Sequence, residues 1–252
     1  MYQTIDDVVA SLNTIVSDCE QTKNRSGYFA ALYKRMTIAV KEGIQNNAFV
    51  DGKRMEKLDI VFANRYLSAY EAYHRKEECG TSWKYAFDGC INESLTVIQQ
   101  LILGVNTHIN LDLAIASAVV APGDSIHALE ADFNRINDVI ASLFDDVQQS
   151  LEGVWWPMKF LKRVGKTQQT DVLNFSIGAA RKTAWANAVI LAGLNENEQH
   201  AYVQQMDAIV YHIAEKIINP GFFAGLLMKI VRMTEYNDVA RTINLIDTTV
   251  AK

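Results

Sequence analysis

Prolines divide this chain at three points. Pro122, Pro157 and Pro220 are the only prolines in 252 residues, in the contexts "VVAPGDS", "GVWWPMKF" and "INPGFF". Because proline removes a backbone donor and fixes φ, it lies at helix starts and stops rather than in helix interiors. Alternating Val, Ile and Thr runs bounded by Asn-Gly or Asp-Gly turns, which would indicate strands, do not occur. The sequence therefore predicts an all-α protein.

Capping signals and apolar periodicity predict a bundle of about eight to ten helices. Thr4 with Asp7 is a capping pattern that opens the first helix, and Asn195 with Glu198 is another. The predicted helices cover, in chain order, residues 4–22, 25–44, 53–77, a stretch from Thr81 through the apolar residues with a break near 107, 124–151, 170–194, 195–219 and a pair after Pro220. No repeat of fixed period and no low-complexity linker interrupts them, so residues 1–252 are predicted to form a single domain.

The bulk composition is that of a globular protein without an affinity for nucleic acid. Hydrophobic residues make up 49% of the chain and charged residues 21%, so a sizeable core can be buried. The 24 basic and 29 acidic residues give a net charge of −5, and the nearest thing to a basic block, "LKRVGK", is short. We therefore predict no nucleic-acid partner.

Three features predict a soluble cytoplasmic protein. Cys19, Cys79 and Cys90 show no C-x-x-C spacing, so free thiols are expected rather than disulfides or a zinc ribbon. The N-terminus carries acids and no apolar run, so it does not resemble a secretory signal. The apolar stretches at 113–121 and 184–194 are shorter than the ~18–20 residues that a membrane helix needs. No membrane partner is predicted, and a homo-oligomer stays open.

The stretch "LILGVNTHINLDL", residues 101–113, places polar side chains in the most apolar part of the chain. They are Asn106, Thr107, His108, Asn110 and Asp112. Residues four apart share a helix face, which pairs His108 with Asp112 and Asn106 with Asn110. Burying such a group without a partner costs ~1–3 kcal/mol. These groups must therefore meet one another, polar groups of other helices, water, a metal or a ligand.

This cluster admits a structural and a functional interpretation. In the structural one, His108 holds Asp112, while Asn106 and Asn110 bridge to neighbouring backbone. In the functional interpretation, these two pairs of side chains line a ligand pocket. His108 then acts as general base, and Asp112 orients its imidazole. Alternatively, His108 and Asp112 bind one divalent ion such as zinc. Because zinc takes at least three protein ligands, the others would come from elsewhere.

Four further residues are predicted to line the same pocket. Asp59 is embedded in the apolar segment "KLDIVFANRY", which also contains Arg65, and Arg181 and Trp185 lie one helical turn apart in "GAARKTAW". A buried arginine needs an acid, and either Asp59 or Asp112 can supply it. The functional alternative is that Arg181 binds an anionic ligand beside the histidine.

The sequence does not decide whether the protein is an enzyme. No G-x-S-x-G elbow, phosphate loop or dinucleotide fingerprint occurs, so nothing supports covalent catalysis, and hydrolysis is the most that the cluster suggests. The second hypothesis is a helical structural or interaction protein whose polar cluster only sets helix register. In that case the "WWPMKFL" segment, residues 155–161, is the predicted apolar surface patch.

Two resemblances are carried by these segments. "SGYFAALYKRMT", "LDIVFANRYLSAY", "LILGVNTHINLDLAIA" and "SIGAARKTAWANA" resemble a bacterial family of uncharacterised all-helical proteins, a domain of unknown function, over nearly the whole chain. This resemblance implies one helical domain and no particular activity.

The second resemblance is local. "LGVNTHINLD" is similar to the L-G-x-x-x-H-x-x-x-D segment of zinc-dependent phospholipase C and P1-type nucleases, and this similarity implies that His108 and Asp112 bind zinc. The chain departs from that family, because it begins Met1-Tyr2 instead of with a tryptophan ligand. No histidine occurs near Ala118 and no His-x-x-x-Glu follows. Since only five histidines are present, one metal is the most that the resemblance implies.

Overall fold

The computed structural model describes residues 1–136, 168–235 and 237–248, and this part of the chain contains helices and no β-strand. The helices are α1 (Ile5–Thr22), α2 (Gly27–Gln45), α3 (Gly52–His74), α4 (Thr81–Ile91), α5 (Val97–Thr107), a π-helical turn (His108–Asp112), α6 (Leu113–Val120), a 3-10 turn (Gly123–Ser125), α7 (126–136), α8 (Gln168–Gly193), α9 (Glu196–Ile218), α10 (Phe222–Thr234) and α11 (Val239–Asp247). The predicted all-α fold is confirmed.

Both capping patterns found in the sequence begin helices. Thr4 accepts a hydrogen bond from the backbone of Asp7, whose carboxylate accepts one from the backbone of Thr4, and α1 follows. Asn195 and Glu198 cap α9 in the same reciprocal way. Each box satisfies N–H groups that a helix start leaves without a partner, which is why these boundaries can be predicted locally.

The stretch that begins at Thr81 is two helices, where the sequence predicts one. Between α4 and α5 the chain leaves the helix at Asn92, and Thr96 begins α5 with a third capping box. Thr96 accepts from the backbone of Gln99, and Gln99 accepts from the backbone of Thr96. The Thr-x-x-Gln spacing is present in the sequence, preceded by the polar residues Asn92, Glu93 and Ser94, so a local signal for this second helix start exists. The predicted continuation of α7 to residue 151, the basic "LKRVGK" segment and the "WWPMKFL" patch lie outside the described residues.

The helix changes from α to π geometry where the break near 107 is predicted. The backbone N–H of Leu113 donates to the carbonyl of His108, five residues back, so the turn holds one more residue than an α-helical turn. The turn comprises His108–Asp112, which contains most of the polar cluster. Such turns are rare in proteins, and those that do occur are often found at functional sites.

The polar cluster lies where two halves of the hydrophobic core meet. One half packs mainly α1, α2, α3, α4 and α11, and the other packs mainly α6, α7, α8 and α9. Phe62 on α3 and Val105 on α5 pack against both halves. The π turn follows α5 directly, and the side chains of His108 and Asp112 are buried at this junction.

Among the described residues, the continuous helical stretch Val97–Val120 is long and apolar enough to cross a membrane by length and composition. However, 72% of its most apolar window is buried inside the protein. α6 packs against α3 and α8, and α5 packs against α4 and α9. This burial is typical of a core helix, which passes the same test of length and composition.

A buried histidine pocket as the candidate functional site

The carboxylate of Asp112 lies at the centre of the polar cluster and is fully occupied. Its Oδ1 accepts a hydrogen bond from Nε of Arg65 at 2.8 Å, and its Oδ2 accepts one from Nε1 of Trp83 at 2.9 Å. The same Oδ2 lies 3.3 Å from Nδ1 of His108. Arg65 belongs to α3 and Trp83 to α4, so this carboxylate joins three elements. The predicted ion pair between a buried acid and an arginine forms between Asp112 and Arg65.

The charge on Asp112 determines which nitrogen of His108 carries a proton. Burial alone would raise the pKa of Asp112, but the Arg65 charge and the hydrogen bonds from His108 and Arg65 hold it below its usual value. The carboxylate is therefore ionised at pH 7 and can only accept hydrogen bonds. Nδ1 of His108 must then be the donor, which leaves Nε2 as an acceptor with a free lone pair.

His108 is enclosed by five aromatic rings, which we call the aromatic box. Phe62 stacks on the imidazole with a centroid separation of 3.6 Å, and Tyr33 meets it edge-on at 4.3 Å. The other rings of the box, with centroids within 6.1 Å, are Phe29, Tyr66 and Trp83. Burial, together with the smaller effect of the Arg65 charge, lowers the pKa of His108 despite the opposing contact with Asp112, so the imidazole is neutral at pH 7. No hydrogen-bond partner for Nε2 occurs among the described residues.

A cavity of about 50 Å³ lies against the aromatic box. Its described walls come from α2, α3, α5, the π turn, α6, α7 and α8, and they are mostly aromatic, aliphatic or methionine side chains. Apart from the Tyr33 hydroxyl, the polar side chains on these walls are Asp59, His108 and Arg181. Three of the predicted site residues therefore meet at one cavity, although they lie on three different elements.

Asp59 is a buried acid that forms no ion pair within the described part of the chain. Burial, with a smaller contribution from the charge of Glu56, raises the pKa of Asp59 to about 8. The carboxyl group is therefore mostly protonated at pH 7. Its Oδ2 is buried and has no hydrogen-bond partner among the residues that the structure describes. Asp59 therefore does not form the predicted ion pair with a buried arginine within the described residues.

Arg181 and Trp185 lie on the second half of the core. The guanidinium of Arg181 donates a hydrogen bond to the carbonyl of Phe133 and lies over the Phe133 ring, 4.5 Å from its centroid. Burial lowers the pKa of Arg181 to about 10, so the side chain is still a cation at pH 7. Trp185 packs against the same Phe133 ring at 4.9 Å and is not among the described residues of the cavity wall.

The two asparagines of the cluster point away from the cavity. The side chain of Asn110 donates to that of Asn106 at 2.9 Å, and Asn106 donates to the backbone carbonyl of Val210 at 3.0 Å. These bonds tie α5 and the π turn to α9. Asn106 thus has the backbone-bridging role that the structural interpretation gives to both asparagines, whereas Asn110 bonds to the Asn106 side chain instead.

Asp112 and Arg65 also have an outer side. Both line an open surface groove with Trp83, and the Arg65 side chain is 34% exposed while that of Asp112 is 1% exposed. Arg65 uses Nε for the ion pair, which leaves the outer end of its guanidinium towards the groove. The dyad of His108 and Asp112 therefore lies between the buried cavity and the protein surface.

A metal centre finds no support in this geometry. Within the described residues, no group of three His, Cys, Asp or Glu side chains is close enough to hold a metal ion. Both carboxylate oxygens of Asp112 already accept hydrogen bonds, from Arg65, Trp83 and His108. His108 and Asp112 lie together as predicted, but no further ligand joins them.

The aromatic box is the part of the site that sequence reasoning misses. Trp83 is the residue with the most direct role, because it donates to Asp112. A partial signal exists, since Phe62, Tyr66 and Tyr70 repeat at four-residue spacing on α3 and so share one face. Nothing local indicates that this face encloses a histidine 46 residues further along the chain, at position 108.

The fold and the site define an all-helical protein with a small, mostly apolar cavity in its core. The chain belongs to a family of unknown function (DUF5995), whose model matches residues 5–220. The predicted membership of an uncharacterised helical family is thereby confirmed. No curated protein and no solved structure matches the chain. The local similarity to zinc-dependent phospholipase C is not supported by these comparisons.

Proposed function

We propose that this protein binds a small molecule in the cavity beside His108. One observation carries the proposal: Nε2 of His108 and Oδ2 of Asp59 are buried, lack hydrogen-bond partners in the described part of the chain, and belong to side chains that line the same cavity. Buried polar atoms without partners are uncommon and costly, at about 1–3 kcal/mol each. A ligand or ordered water that bonds to both atoms removes that cost.

Asp112 acts in this proposal as a positioning residue. It holds Nδ1 of His108 and thereby keeps Nε2 as an acceptor towards the cavity. Arg65 and Trp83 fix the carboxylate in turn, so the imidazole is held through a chain of buried contacts. An imidazole oriented by a carboxylate can also serve as a general base. Hydrolysis would use His108 in that role on a water molecule.

A structural role is the second candidate. It is favoured because both carboxylate oxygens of Asp112 already accept hydrogen bonds from other side chains. All three of its hydrogen bonds and the rings around His108 would be explained by packing and helix register alone. A single divalent ion such as zinc, bound by His108 and Asp112, is the third candidate. It requires ligands beyond the groups found in the described residues.

We also propose that the protein acts in the cytoplasm and has neither nucleic acid nor membrane as a partner. The three cysteines are free thiols, as suits a reducing compartment. The net charge of −5 would repel polyanions. A homo-oligomer is compatible with this proposal, since the cavity lies inside one chain.

Binding can be tested by following the imidazole nitrogens of His108 by ¹⁵N NMR during a screen of small polar molecules. Val105 lines the cavity, so the larger side chain in Val105→Leu narrows it. Any compound that causes a saturable shift of Nε2 should therefore bind this variant about tenfold more weakly. Val119→Leu makes the same change at a position that is 56% exposed and serves as the matched control. The proposal fails if no compound shifts Nε2 in the wild type.

Metal content separates the remaining candidates. We expect purified wild-type protein to contain no stoichiometric divalent ion. A stoichiometric metal that is lost in His108→Ala would instead establish a metalloprotein. An absence of both metal and ligand, with His108→Ala merely less stable, would establish the structural role.

A further inference from the structure

The mostly apolar cavity presents a hydrogen-bond acceptor at His108 and a donor at Asp59, and the other polar groups on its described walls are the Tyr33 hydroxyl and the Arg181 guanidinium. From this pattern we infer that its ligand is a small uncharged molecule with a hydroxyl group, whose O–H donates to His108 while its oxygen accepts from the protonated carboxyl of Asp59. This inference rests on the proposed function, because it names the class of molecule that the same cavity takes.

His108 requires a donor from the ligand. Asp112 is ionised and accepts from Nδ1, so Nε2 carries a lone pair and no hydrogen. The imidazole is neutral, since burial among the aromatic rings opposes its protonation. A ligand that offers only acceptors, such as a ketone or a carboxylate, would face this lone pair without a hydrogen bond.

Asp59 supplies the matching donor. Its carboxyl group is buried on α3, and the pKa of about 8 keeps it protonated at pH 7. The titratable groups around it are Tyr33 from α2, Glu56 from α3, His108 from the π turn and Arg181 from α8. A protonated carboxyl offers one O–H donor, so a hydroxyl oxygen is a suitable acceptor.

The remaining walls argue against a charged ligand. Phe62, Met55 and Leu58 are among the apolar side chains that line the cavity, and a charge moved between them would lose its hydration. Arg181 is the fixed cation nearby, and it already donates to the Phe133 carbonyl and lies over the Phe133 ring. The charges that shift the pKa of His108 are those of Asp112 and Arg65, and Glu56 is the one that acts on Asp59.

The cavity volume sets the size of the ligand. A buried water needs roughly 10–15 Å³ of such volume. A cavity of about 50 Å³ therefore admits about three to five waters, or a molecule of about four heavy atoms. Met36 and Met55 are flexible side chains on the wall, so a somewhat longer apolar tail can be accommodated.

Four probes of nearly equal size test the ligand class. They are propan-2-ol, acetone, acetate and isopropylammonium, titrated against full-length protein while the ¹⁵N signals of His108 are followed. Propan-2-ol should bind about five- to tenfold more tightly than acetone, because acetone leaves Nε2 without a donor. The two ions should bind more weakly still. Tighter binding of an ion, or equal binding of acetone, overturns the hydroxyl assignment while the pocket itself stands.

Asp59 provides an independent test through pH. Propan-2-ol should bind at least about tenfold more weakly at pH 9.5 than at pH 6.5, because Asp59 has then lost its proton. Asp59→Asn keeps an N–H donor that does not titrate, so its affinity should be the same at both pH values. Glu71→Gln is the same chemical change on the exposed side of α3 and should behave as the wild type.

Each remaining outcome has one meaning. If Asp59→Asn still loses affinity at pH 9.5, another group controls binding and the role of Asp59 is wrong. If none of the probes shifts His108 and the wider screen is also silent, the proposed function itself fails. Should Asp59→Asn not fold, the ranking of the four probes on wild-type protein still decides the ligand class.

Discussion

At the scale of single residues, two buried carboxyl groups 53 positions apart, Asp59 and Asp112, show opposite behaviour. Asp112 meets donors from Arg65, Trp83 and His108, which hold its pKa below the usual value despite burial. Asp59 meets no such donors among the described residues, so burial raises its pKa to about 8. The difference arises from neighbours on other helices, because both residues lie in similar apolar sequence.

Asp59 makes folding dependent on pH. Its pKa rises from 3.8 to about 8 on folding, so between these values the unfolded chain has lost a proton that the folded protein keeps. Stability must therefore fall as pH rises from about 4 to about 8, and level off above that. Asp59→Asn removes the effect, and we expect it to gain about 2–4 kcal/mol over the wild type between pH 5 and pH 8.

Urea unfolding at pH 5, 6.5 and 8 measures this gain. Glu71→Gln, on an exposed part of the same helix, is the control and should track the wild type within about 0.5 kcal/mol. Parallel stability curves for wild type and Asp59→Asn would show that Asp59 is already ionised in the folded protein over this pH range, and that burial does not raise its pKa to about 8.

At the scale of elements, carboxylates from distant helices accept hydrogen bonds from the backbone at the N-terminal ends of two helices. Asp207 of α9 accepts from the backbone N–H groups of Thr81 and Ser82, at the start of α4. Asp132 of α7 accepts from the backbone of Val50 and Asp51, just before α3. At α4, where Gly80 offers no capping side chain, the Asp207 contacts take the place of a local cap, and at α3 the Asp132 contacts add to the local cap in which Asp51 accepts from the backbone of Arg54. Because their partners lie more than 80 positions away, no local pattern predicts them.

The contact between α5 and α2 is close because of Gly104. A Cβ atom at this position would lie 2.5 Å from the Phe29 ring, which belongs to the aromatic box. Gly104→Ala should therefore displace Phe29 and cost about 1–3 kcal/mol in unfolding free energy. It should also shift the ¹⁵N signals of His108, since the ring centroid of Phe29 is 5.6 Å from the imidazole.

The matched control is Gly193→Ala, near the end of α8, where a Cβ would meet nothing within 4 Å among the described residues. We expect it to leave both stability and the His108 signals nearly unchanged. If Gly104→Ala were equally silent, α2 and α5 would not be held in the close contact that forms one side of the box.

At the scale of the whole molecule, the two halves of the core share the residues around the cavity. Phe62 and Val105 pack against both, and Asp112 bonds to α3 and α4 from the π turn. We expect one cooperative unfolding transition, with coincident denaturant midpoints by tryptophan fluorescence and far-UV circular dichroism. Two separated transitions would contradict the single domain that the sequence predicts.

The sequence by itself determines the local structure of this protein. Prolines, the Thr4 and Asn195 capping boxes and the apolar periodicity predict the all-α class and several helix boundaries, because each depends on residues within a few positions. The same reasoning locates the polar cluster, since polar groups in the most apolar segment must find partners. It also pairs His108 with Asp112, which lie on neighbouring turns.

Only the tertiary structure decides what those groups meet. Arg65, and not Arg181, is the arginine on Asp112, Trp83 completes the site, and Asp59 stays protonated in a cavity with His108. Helix periodicity indicates which face of a helix is buried, but it does not indicate which other helix packs against that face. The chemistry of this site depends on the second question, because hydrogen bonds and pKa values respond to atoms within a few ångströms and not to distance along the chain.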